Sequence, residues 1–263
     1  MGNYLVTGAN GGMGAAVCRL LQENGHSVWG IDRVVSEEEV PWHRIVADTT
    51  QTPDLKSAFE QVRAGAQTLD GIVHTAGIYD LNALLEMPEA DFLRDFDVNL
   101  FGVFRVNQVF APILKADGRI VIVSSELAPL YPLPFTGVYA ATKTALEAYA
   151  AALRMEVQLV GQSVIVVRPG AVRTKMLPAS TDKLERFCAS TMRYRPNAAR
   201  FRRIVNAVEA RSVPPETVAC VIARALTVKR PRLVCCVNRN PLLLLLNALP
   251  KRLQLMIIRA ILS

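Results

Sequence analysis

The sequence lacks the features that would remove it from the globular class. No run of 20 uncharged apolar residues occurs in its 263 residues, so we expect no ordinary transmembrane helix. Gly and Pro number only 15 each while 51% of the chain is hydrophobic, which excludes a disordered or collagen-like chain. An apolar strand begins at Tyr4 without a basic segment before it, so we expect no signal peptide.

Cysteine and histidine are too few and too scattered to predict a metal site. The chain has five Cys and three His residues, and none of them shows the paired spacing of a zinc site. An odd number of cysteines with one adjacent pair, Cys235-Cys236, is typical of reduced thiols in a cytoplasmic protein. We therefore expect a cytoplasmic location and no metal.

Acidic residues are scarce in the last third of the chain. Residues 173–263 carry 18 basic and 4 acidic side chains, whereas residues 1–172 carry 12 basic and 19 acidic ones. Such an asymmetry favours an anionic partner, namely a phosphate, an acidic substrate or a membrane surface, or else forms a solvated face. We do not expect nucleic-acid binding, because no recognised motif accompanies the charge.

The first 170 residues alternate short apolar runs with longer helical patterns. The runs are rich in Val and Ile and show no polar alternation, as in strands covered on both faces. We therefore predict an α/β fold, a Rossmann-like doubly wound parallel sheet of about seven strands with helices on both faces. Residues 1–237 form its one domain, and residues 238–263 form a Leu-rich basic tail. The predicted strands are Tyr4–Thr7, Ser27–Ile31, Arg44–Ala47, Gly71–His74, Arg119–Ser124, Val164–Arg168 and Arg232–Val237, and the predicted helices are 12–24, 53–64, 89–111, 137–160 and about 215–228.

A glycine-rich turn connects the first strand to the first helix. Glycines allow a tight turn and a close approach of the backbone to a pyrophosphate, and the helix N-terminus adds free N–H groups. The first strand–helix junction is where this fold binds dinucleotides. The predicted contacts are Gly8, Asn10, Gly11, Gly12, Met13 and Gly14.

An acidic residue closes the second strand. The Asp32 carboxylate is placed to accept both ribose hydroxyls of the adenosine half and to repel a 2′-phosphate, which favours NAD over NADP. The neighbouring Arg33 leaves the alternative open, because a guanidinium binds a phosphate or stacks on adenine.

A tyrosine and a lysine lie four residues apart in a predicted helix. Tyr139 and Lys143 therefore share one face. A nearby ammonium favours the phenolate and lowers the pKa of the phenol, and such a pair exchanges a proton with an alcohol. Ser125 ends the strand before this helix, with Ser124 as a rival hydroxyl.

The motifs come in an order that resembles one known family. They are Thr7-Gly8-x-x-x-Gly12-x-Gly14, Asp48, His74-Thr75-Ala76-Gly77, Asn99, Ser125, Tyr139-x-x-x-Lys143 and Pro169-Gly170. Over roughly residues 3–237 the chain resembles the short-chain dehydrogenases/reductases, in their compact branch, and is similar to hydroxysteroid and retinol dehydrogenases.

The resemblance implies a role for each matching residue. Tyr139 would be the acid/base, and Lys143 would lower its pKa and hold the nicotinamide ribose. Ser125 would form a hydrogen bond with the substrate oxygen, and Asn99 would position a water that links Lys143 to solvent. Asp48 would contact the adenine. The other implied cofactor contacts are Thr49, Ala76, Gly77, Pro169, Val172 and Thr174.

Three departures from the family pattern concern the site. Ser125 lies 14 residues before Tyr139, one more than is commonest in the family, which suggests a substrate loop longer by one residue. His74-Thr75-Ala76-Gly77 stands where the family has Asn-Asn-Ala-Gly, and we interpret His74 as a hydrogen-bonded sheet residue rather than a cofactor contact. Met13 replaces the usual Ile between the last two glycines.

The predicted pocket wall and lid bear on the substrate. Residues 126–138 are apolar and contain three prolines, which favours a lipophilic substrate, hydroxysteroid-like by preference. Glu126 would accept a hydrogen bond from a distal substrate hydroxyl or point to solvent, and we favour the solvent-facing position. The lid, about residues 175–213, carries arginines that would bind a coenzyme A phosphate or lie on a membrane: Arg186, Arg193, Arg195, Arg200, Arg202 and Arg203.

The C-terminal tail is basic as well as rich in Leu. Residues 229–263 carry seven basic side chains and no acidic one, as in a helix that lies on a membrane surface. Alternatively, the tail packs over the pocket or at a subunit interface.

The alternatives to a lipophilic-alcohol dehydrogenase are a reductase of 3-oxoacyl thioesters and a non-catalytic dinucleotide-sensing or membrane-surface protein. By the resemblance, we expect a homodimer or homotetramer built on the helices near 89–111 and 137–160.

Overall fold

The computed structural model describes residues 1–35, 39–174, 176–209 and 211–263. In that part of the chain, seven parallel strands form a single sheet. They are β1 (Asn3–Thr7), β2 (Ser27–Asp32), β3 (His43–Val46), β4 (Leu69–His74), β5 (Leu114–Val123), β6 (Ser163–Pro169) and β7 (Val234–Val237). Their order across the sheet is β3-β2-β1-β4-β5-β6-β7, which confirms the predicted doubly wound sheet.

Helices cover both faces of this sheet because its inner strands are apolar on both sides. One face packs against a cluster that includes Phe110 and Leu146, and the other against a cluster that includes Val17, Leu21 and Ile222. The helices that flank the sheet are α1 (Gly12–Glu23), α2 (Thr52–Gly65), α3 (Glu89–Phe96), α4 (Gly102–Phe110), α5 (Gly137–Val157) and α8 (Pro215–Thr227).

The long helix predicted over 89–111 is interrupted by one π-helical segment. Residues Asp97–Phe101 form this π-turn between α3 and α4, and the Gly102 N–H donates to the Asp97 carbonyl five residues earlier. π-turns of this kind occur mostly inside α-helices and frequently at functional sites. Here the turn contains Asn99.

The lid folds into two helices that the sequence did not predict. They are α6 (Met176–Ser190) and α7 (Arg195–Glu209), with residues 175 and 210 of the predicted lid outside the described part. Polar contacts fasten the lid to the sheet domain at two places. The Lys183 ammonium donates to the Tyr79 carbonyl at 2.9 Å and pairs with the Asp80 carboxylate, and the Thr191 hydroxyl donates to the Glu86 carboxylate at 2.6 Å. The lid therefore lies over the carboxyl edge of the sheet.

The tail forms two short helices, α9 (Pro241–Ala248) and α10 (Lys251–Leu262), rather than one. Pro250 separates them, because proline has no N–H to donate within a helix. The end of α10 packs against the lid: Leu262 joins Phe187 and Phe201 in one buried cluster, and its carbonyl accepts a bond from Asn197 at 2.7 Å. Among the described residues, none of the helices has the length and apolarity needed to cross a bilayer.

Candidate active site

The turn after β1 has the geometry of an anion site. Gly8 has φ +72°, in the left-handed region that favours glycine, and no side chain caps α1 at Gly11. A Cβ on Gly14 would lie 2.1 Å from the Gly8 carbonyl oxygen, and one on Gly12 would lie 2.7 Å from Cβ of Thr174. The first-turn amides of α1, which helix geometry leaves without acceptors, therefore fit a dinucleotide pyrophosphate. The turn also brings Thr174 beside the predicted glycine contacts.

Asp32 is fixed at the end of β2 by two backbone amides. Its carboxylate accepts bonds from the Asn10 N–H at 2.9 Å and the Val34 N–H at 3.0 Å. These bonds connect the end of β2 to the glycine turn, and the adjacent Arg33 side chain is exposed. The carboxylate thus lies beside the glycine turn, where it would hold the ribose hydroxyls of a bound dinucleotide.

The ends of β1 and β4 are joined next to the turn. The Thr75 hydroxyl donates to the Thr7 carbonyl at 2.6 Å, and a Cβ on Gly8 would lie 2.8 Å from the Ala76 nitrogen. Ala76 and Gly77 are therefore close to the glycine turn, as a shared cofactor site requires.

Asp48 and Thr49 follow β3 and have contacts of their own. The Asp48 carboxylate accepts bonds from the Thr50 N–H and hydroxyl, both at 2.8 Å, and the Thr49 side chain packs over Gly102. The predicted adenine contact of Asp48 stays a prediction.

Three of the four predicted catalytic residues surround the end of β5. Ser125 follows this strand, and Tyr139 and Lys143 lie in the first two turns of α5. The Lys143 ammonium is 5.8 Å from the centroid of the Tyr139 ring and donates to the Val123 carbonyl at 3.1 Å. The Tyr79 ring packs edge-on against Tyr139 at 4.7 Å between centroids, which fixes the phenol in the cavity.

Burial dominates the acid–base properties of this pair. It raises the pKa of Tyr139 to about 12, against a hydrogen bond from Ser125 that acts to lower it. It lowers the pKa of Lys143 to about 8, because a buried ammonium loses its hydration. The role of Lys143 in lowering the pKa of the phenol stays a prediction.

Asn99 reaches the site from the π-turn. Its amide nitrogen donates to the Ile78 carbonyl at 2.9 Å and to the Thr142 hydroxyl at 3.1 Å, and its oxygen accepts from the Ile78 N–H at 2.8 Å. A Cβ on Gly77 would lie 3.0 Å from the Asn99 oxygen and 3.5 Å from the Lys143 nitrogen. All four predicted catalytic residues therefore meet at one edge of the sheet.

Ser124 and His74 have structural partners instead. The Ser124 hydroxyl donates to the Glu147 carboxylate at 2.8 Å, and the same carboxylate pairs with Arg168. His74 is buried, and its ring forms a hydrogen bond with the Asn107 side chain at 2.8 Å. Burial lowers the pKa of the His74 imidazole to about 4. The geometry favours Ser125 over its rival and agrees with the interpretation of His74 as a sheet residue.

Glu126 is buried, and the prediction of a solvent-facing carboxylate is wrong. It is only 9% exposed, and one carboxylate oxygen accepts a bond from the Asn240 N–H at 2.7 Å. Burial raises its pKa. This burial has a non-local cause, since the tail returns to cover the residue that follows the predicted catalytic serine.

A cavity of about 230 Å³ opens above these residues. Its polar lining includes Ser125, Tyr139 and Lys143, and Pro169, Val172 and Thr174 belong to the same wall. The predicted cofactor and catalytic residues of the carboxyl edge thus share one space. The apolar lining includes Ile78, Leu127, Leu133, Phe201, Ile204, Val205 and Leu243.

Sequence reasoning missed the part of this lining that the lid and the tail supply. Phe201, Ile204 and Val205 lie on one face of α7, and Leu243 comes from α9. The spacing of the first three, i, i+3 and i+4, was a detectable signal of an inward helical face. The arginines next to these residues in the sequence obscured this apolar spacing.

Comparison with known proteins identifies the family. A family model described as short chain dehydrogenase matches residues 3–185. The chain is 27% identical to 3-ketodihydrosphingosine reductase of Bacteroides thetaiotaomicron, over 86% of this chain and 84% of the relative. It is 33% identical to 17-beta-hydroxysteroid dehydrogenase type 6 of Bos taurus, over 65% of this chain and 57% of the relative.

A solved structure of a short-chain dehydrogenase from Streptomyces avermitilis has the same fold. It superposes with a TM-score of 0.73 at 24% identity, covering 90% of this chain and 88% of that one. The family match extends from β1 through the Ser-Tyr-Lys region into the lid. The chain therefore belongs to the short-chain dehydrogenase/reductase family, NAD(P)-dependent oxidoreductases that act on CH–OH groups.

Proposed function

We propose that this enzyme interconverts a lipophilic secondary alcohol and its ketone with NAD(H), with hydroxysteroid-like substrates preferred. The supporting observation is the cavity, where Tyr139 and Ser125 lie opposite apolar walls from the lid and the tail. Its volume of about 230 Å³ lies just below the range for small-molecule sites, about 300–1,000 Å³. Such a space accepts the reacting end of a lipophilic molecule and excludes water from it.

In this proposal the chain's own groups bind the substrate oxygen and move its proton. Ser125 donates a hydrogen bond to the oxygen, and the Tyr139 hydroxyl gives a proton to it or takes one from it. Lys143 holds positive charge 5.8 Å from the centroid of the Tyr139 ring and would hold the nicotinamide ribose of a bound cofactor. Asn99 keeps the Ile78 backbone in place next to Lys143. A bound nicotinamide supplies or accepts the hydride.

The proposed preference for NAD depends on Asp32. Its carboxylate is held by the Asn10 and Val34 amides, so it cannot turn away from a ribose without breaking both bonds. A 2′-phosphate next to this fixed negative charge is repelled. Substitution of Asp32 by Ser should lower the ratio of kcat/KM for NAD to that for NADP at least ~10-fold. The Arg33→Ala variant is the matched control, because it removes the neighbouring cation and leaves the carboxylate.

The alternative substrate, a 3-oxoacyl thioester, receives less support from the lid. Two of the lid arginines that would bind a coenzyme A phosphate have partners within the chain. Arg200 donates to the Leu262 carbonyl at 3.2 Å, and Arg202 pairs with Glu185 at 2.9 Å. Lipid substrates are also named for both relatives above, a ketosphingoid and a hydroxysteroid.

The test follows nicotinamide absorbance with NAD and NADP separately. The substrates are hydroxysteroids, long-chain lipid ketones, 3-oxoacyl thioesters and polyols. Tyr139→Phe removes the proposed acid/base, and Tyr131→Phe, which removes an exposed phenol outside the cavity lining, is the matched control. We expect steroid or lipid turnover that falls at least ~100-fold in Tyr139→Phe only.

Three outcomes would contradict the proposal. Turnover confined to thioesters, inhibited by free coenzyme A, would establish the alternative substrate. A consistent preference for NADP would show that Arg33 outweighs Asp32. Tight cofactor binding without turnover on the whole panel would favour the dinucleotide-sensing protein.

A further inference from the structure

The tail helices α9 and α10 have an inner side that packs on the protein and an outer side that is exposed. Leu243 and Leu262 are buried on the inner side. Five large apolar side chains of the same helices are between 52% and 66% exposed, namely Leu242, Leu245, Leu255, Met256 and Ile261. Exposed apolar groups concentrated in this way mark interaction surfaces rather than ordinary solvent-facing helices.

Positive charge lies among these apolar side chains. Arg252 and Arg259 are exposed on α10 and flank Met256 at i, i+4 and i+7, so the three share one helical face. Residues 229–263 carry seven basic side chains and no acidic one. We call the surface formed by Leu242, Leu245, Arg252, Leu255, Met256 and Arg259 the outer tail face.

We propose that the outer tail face docks on an anionic membrane surface. Apolar side chains enter the boundary between headgroups and acyl chains, and arginines bind the anionic headgroups around them. This assignment goes beyond the oxidoreductase activity and does not depend on the substrate proposed above.

A second copy of the chain fits the same face poorly. In a two-fold interface the patch would meet itself, so Arg252 and Arg259 would face the same cations on the other copy. The tail has no acidic residue to pair with them. An anionic bilayer supplies the opposite charge over the whole face.

Docking would also place the substrate cavity at the membrane. Leu243 lines the cavity, while the adjacent Leu242 is on the outer side of the same helix. Only the thickness of α9 therefore separates the cavity from the docked surface. A lipophilic substrate would pass from bilayer to cavity with little exposure to water.

The experiment measures cosedimentation of the full chain with phosphatidylcholine vesicles that contain or lack phosphatidylglycerol. The test variants are Arg252→Glu/Arg259→Glu, which reverses the charge, and Leu255→Ser/Met256→Ser, which removes the apolar groups. The matched control is Lys56→Glu/Arg63→Glu, because these residues are exposed on α2, away from the tail. Circular dichroism and size-exclusion chromatography of each variant verify its fold and its oligomeric state.

We expect the wild type and the α2 control to bind anionic vesicles, and each tail variant to lose at least ~10-fold in affinity. High salt should weaken the wild-type binding. Equal binding to neutral and anionic vesicles, or no binding to either, would overturn the proposal. So would a tail variant that dissociates a dimer without changing vesicle binding, since this would assign the face to a second copy. None of these readouts uses turnover, so they are independent of the proposed function.

Discussion

Glu126 and Asn240 are joined by a 2.7 Å hydrogen bond from the Asn240 backbone N–H to a Glu126 carboxylate oxygen. The residue after the predicted catalytic serine thereby holds the start of the tail. The contact connects two segments that are 114 residues apart in sequence. Together with the hydrogen bond from the Tyr131 N–H to the Asn247 side chain at 2.6 Å, it fixes the position of α9 and hence of Leu243 in the cavity.

Removing the Glu126 carboxylate should loosen the tail. We expect Glu126→Ala to lower the free energy of unfolding by about 1 kcal/mol, because the partly buried N–H of Asn240 loses its acceptor. Glu126→Gln should retain most of the stability, since its amide oxygen still accepts the bond. Urea unfolding measures stability, and the rate of tryptic cleavage at Lys251 and Arg252 reports on the tail. Equal cleavage of Glu126→Ala and of the exposed-site control Glu60→Ala would show that the bond does not hold the tail.

The two adjacent serines should separate catalysis from stability. Ser125 lies beside Tyr139 in the cavity, whereas the Ser124 hydroxyl is bound to Glu147. Ser125→Ala should lower kcat about 10²–10³-fold, the loss typical of one donor to a reacting oxygen. Ser124→Ala should change kcat little and lower the free energy of unfolding by about 1 kcal/mol. The reverse pattern in steady-state kinetics would transfer the catalytic role to Ser124.

Lys143 should reduce stability at neutral pH. Its pKa falls from 10.5 in the unfolded chain to about 8 in the folded protein, a difference that corresponds to ~3 kcal/mol. Between these two pKa values the unfolded state binds more protons than the folded state. The free energy of unfolding should therefore rise as the pH increases from about 8 to 10.5. We expect Lys143→Met to abolish this rise and to be more stable than the wild type at pH 7, by up to ~3 kcal/mol. Urea unfolding as a function of pH tests both expectations. If the free energy of unfolding of Lys143→Met rises with pH as steeply as that of the wild type, the lowered pKa does not belong to Lys143.

Asp95 should behave in the opposite direction. Burial and the charge of Asp80 raise its pKa from 3.8 to about 7, so the folded state holds the proton more tightly. Stability from this group is therefore lost as the pH rises from about 4 to 7. At pH 8, Asp95→Asn should be more stable than the wild type by about 1–3 kcal/mol, and the difference should shrink on acidification. The control Asp91→Asn removes a more exposed partner of Arg94 and should change unfolding by less than ~1 kcal/mol.

The sheet and the location of the site could be predicted because both follow from local patterns. Apolar runs such as Val164–Arg168 indicate buried strands, and parallel strands align their carboxyl ends at one edge. Ser125, Tyr139 and the glycine turn each follow or face such an end. Their proximity therefore results from topology and required no knowledge of side-chain contacts.

The lid, the tail and the environment of Glu126 could not be predicted in this way. Their positions depend on contacts between distant segments, such as Leu262 with Phe201 and Asn240 with Glu126. The acid–base properties of Tyr139 and Lys143 depend on burial, which a four-residue spacing does not reveal. The spacing predicted that the two residues are neighbours, but the depth of the cavity sets their pKa values.

The π-turn at Asp97–Phe101 limits how this protein can change its length. A π-turn accommodates one residue more than an α-helical turn, so it offsets the helical phase of α4 from that of α3 by about 100°. Deleting a single residue here would restore a regular helix and keep its apolar content, yet it would rotate Asn99 away from Ile78 and Thr142. Evolution or engineering can therefore shorten this chain at its loops, but not in the middle of what looks in sequence like one ordinary helix.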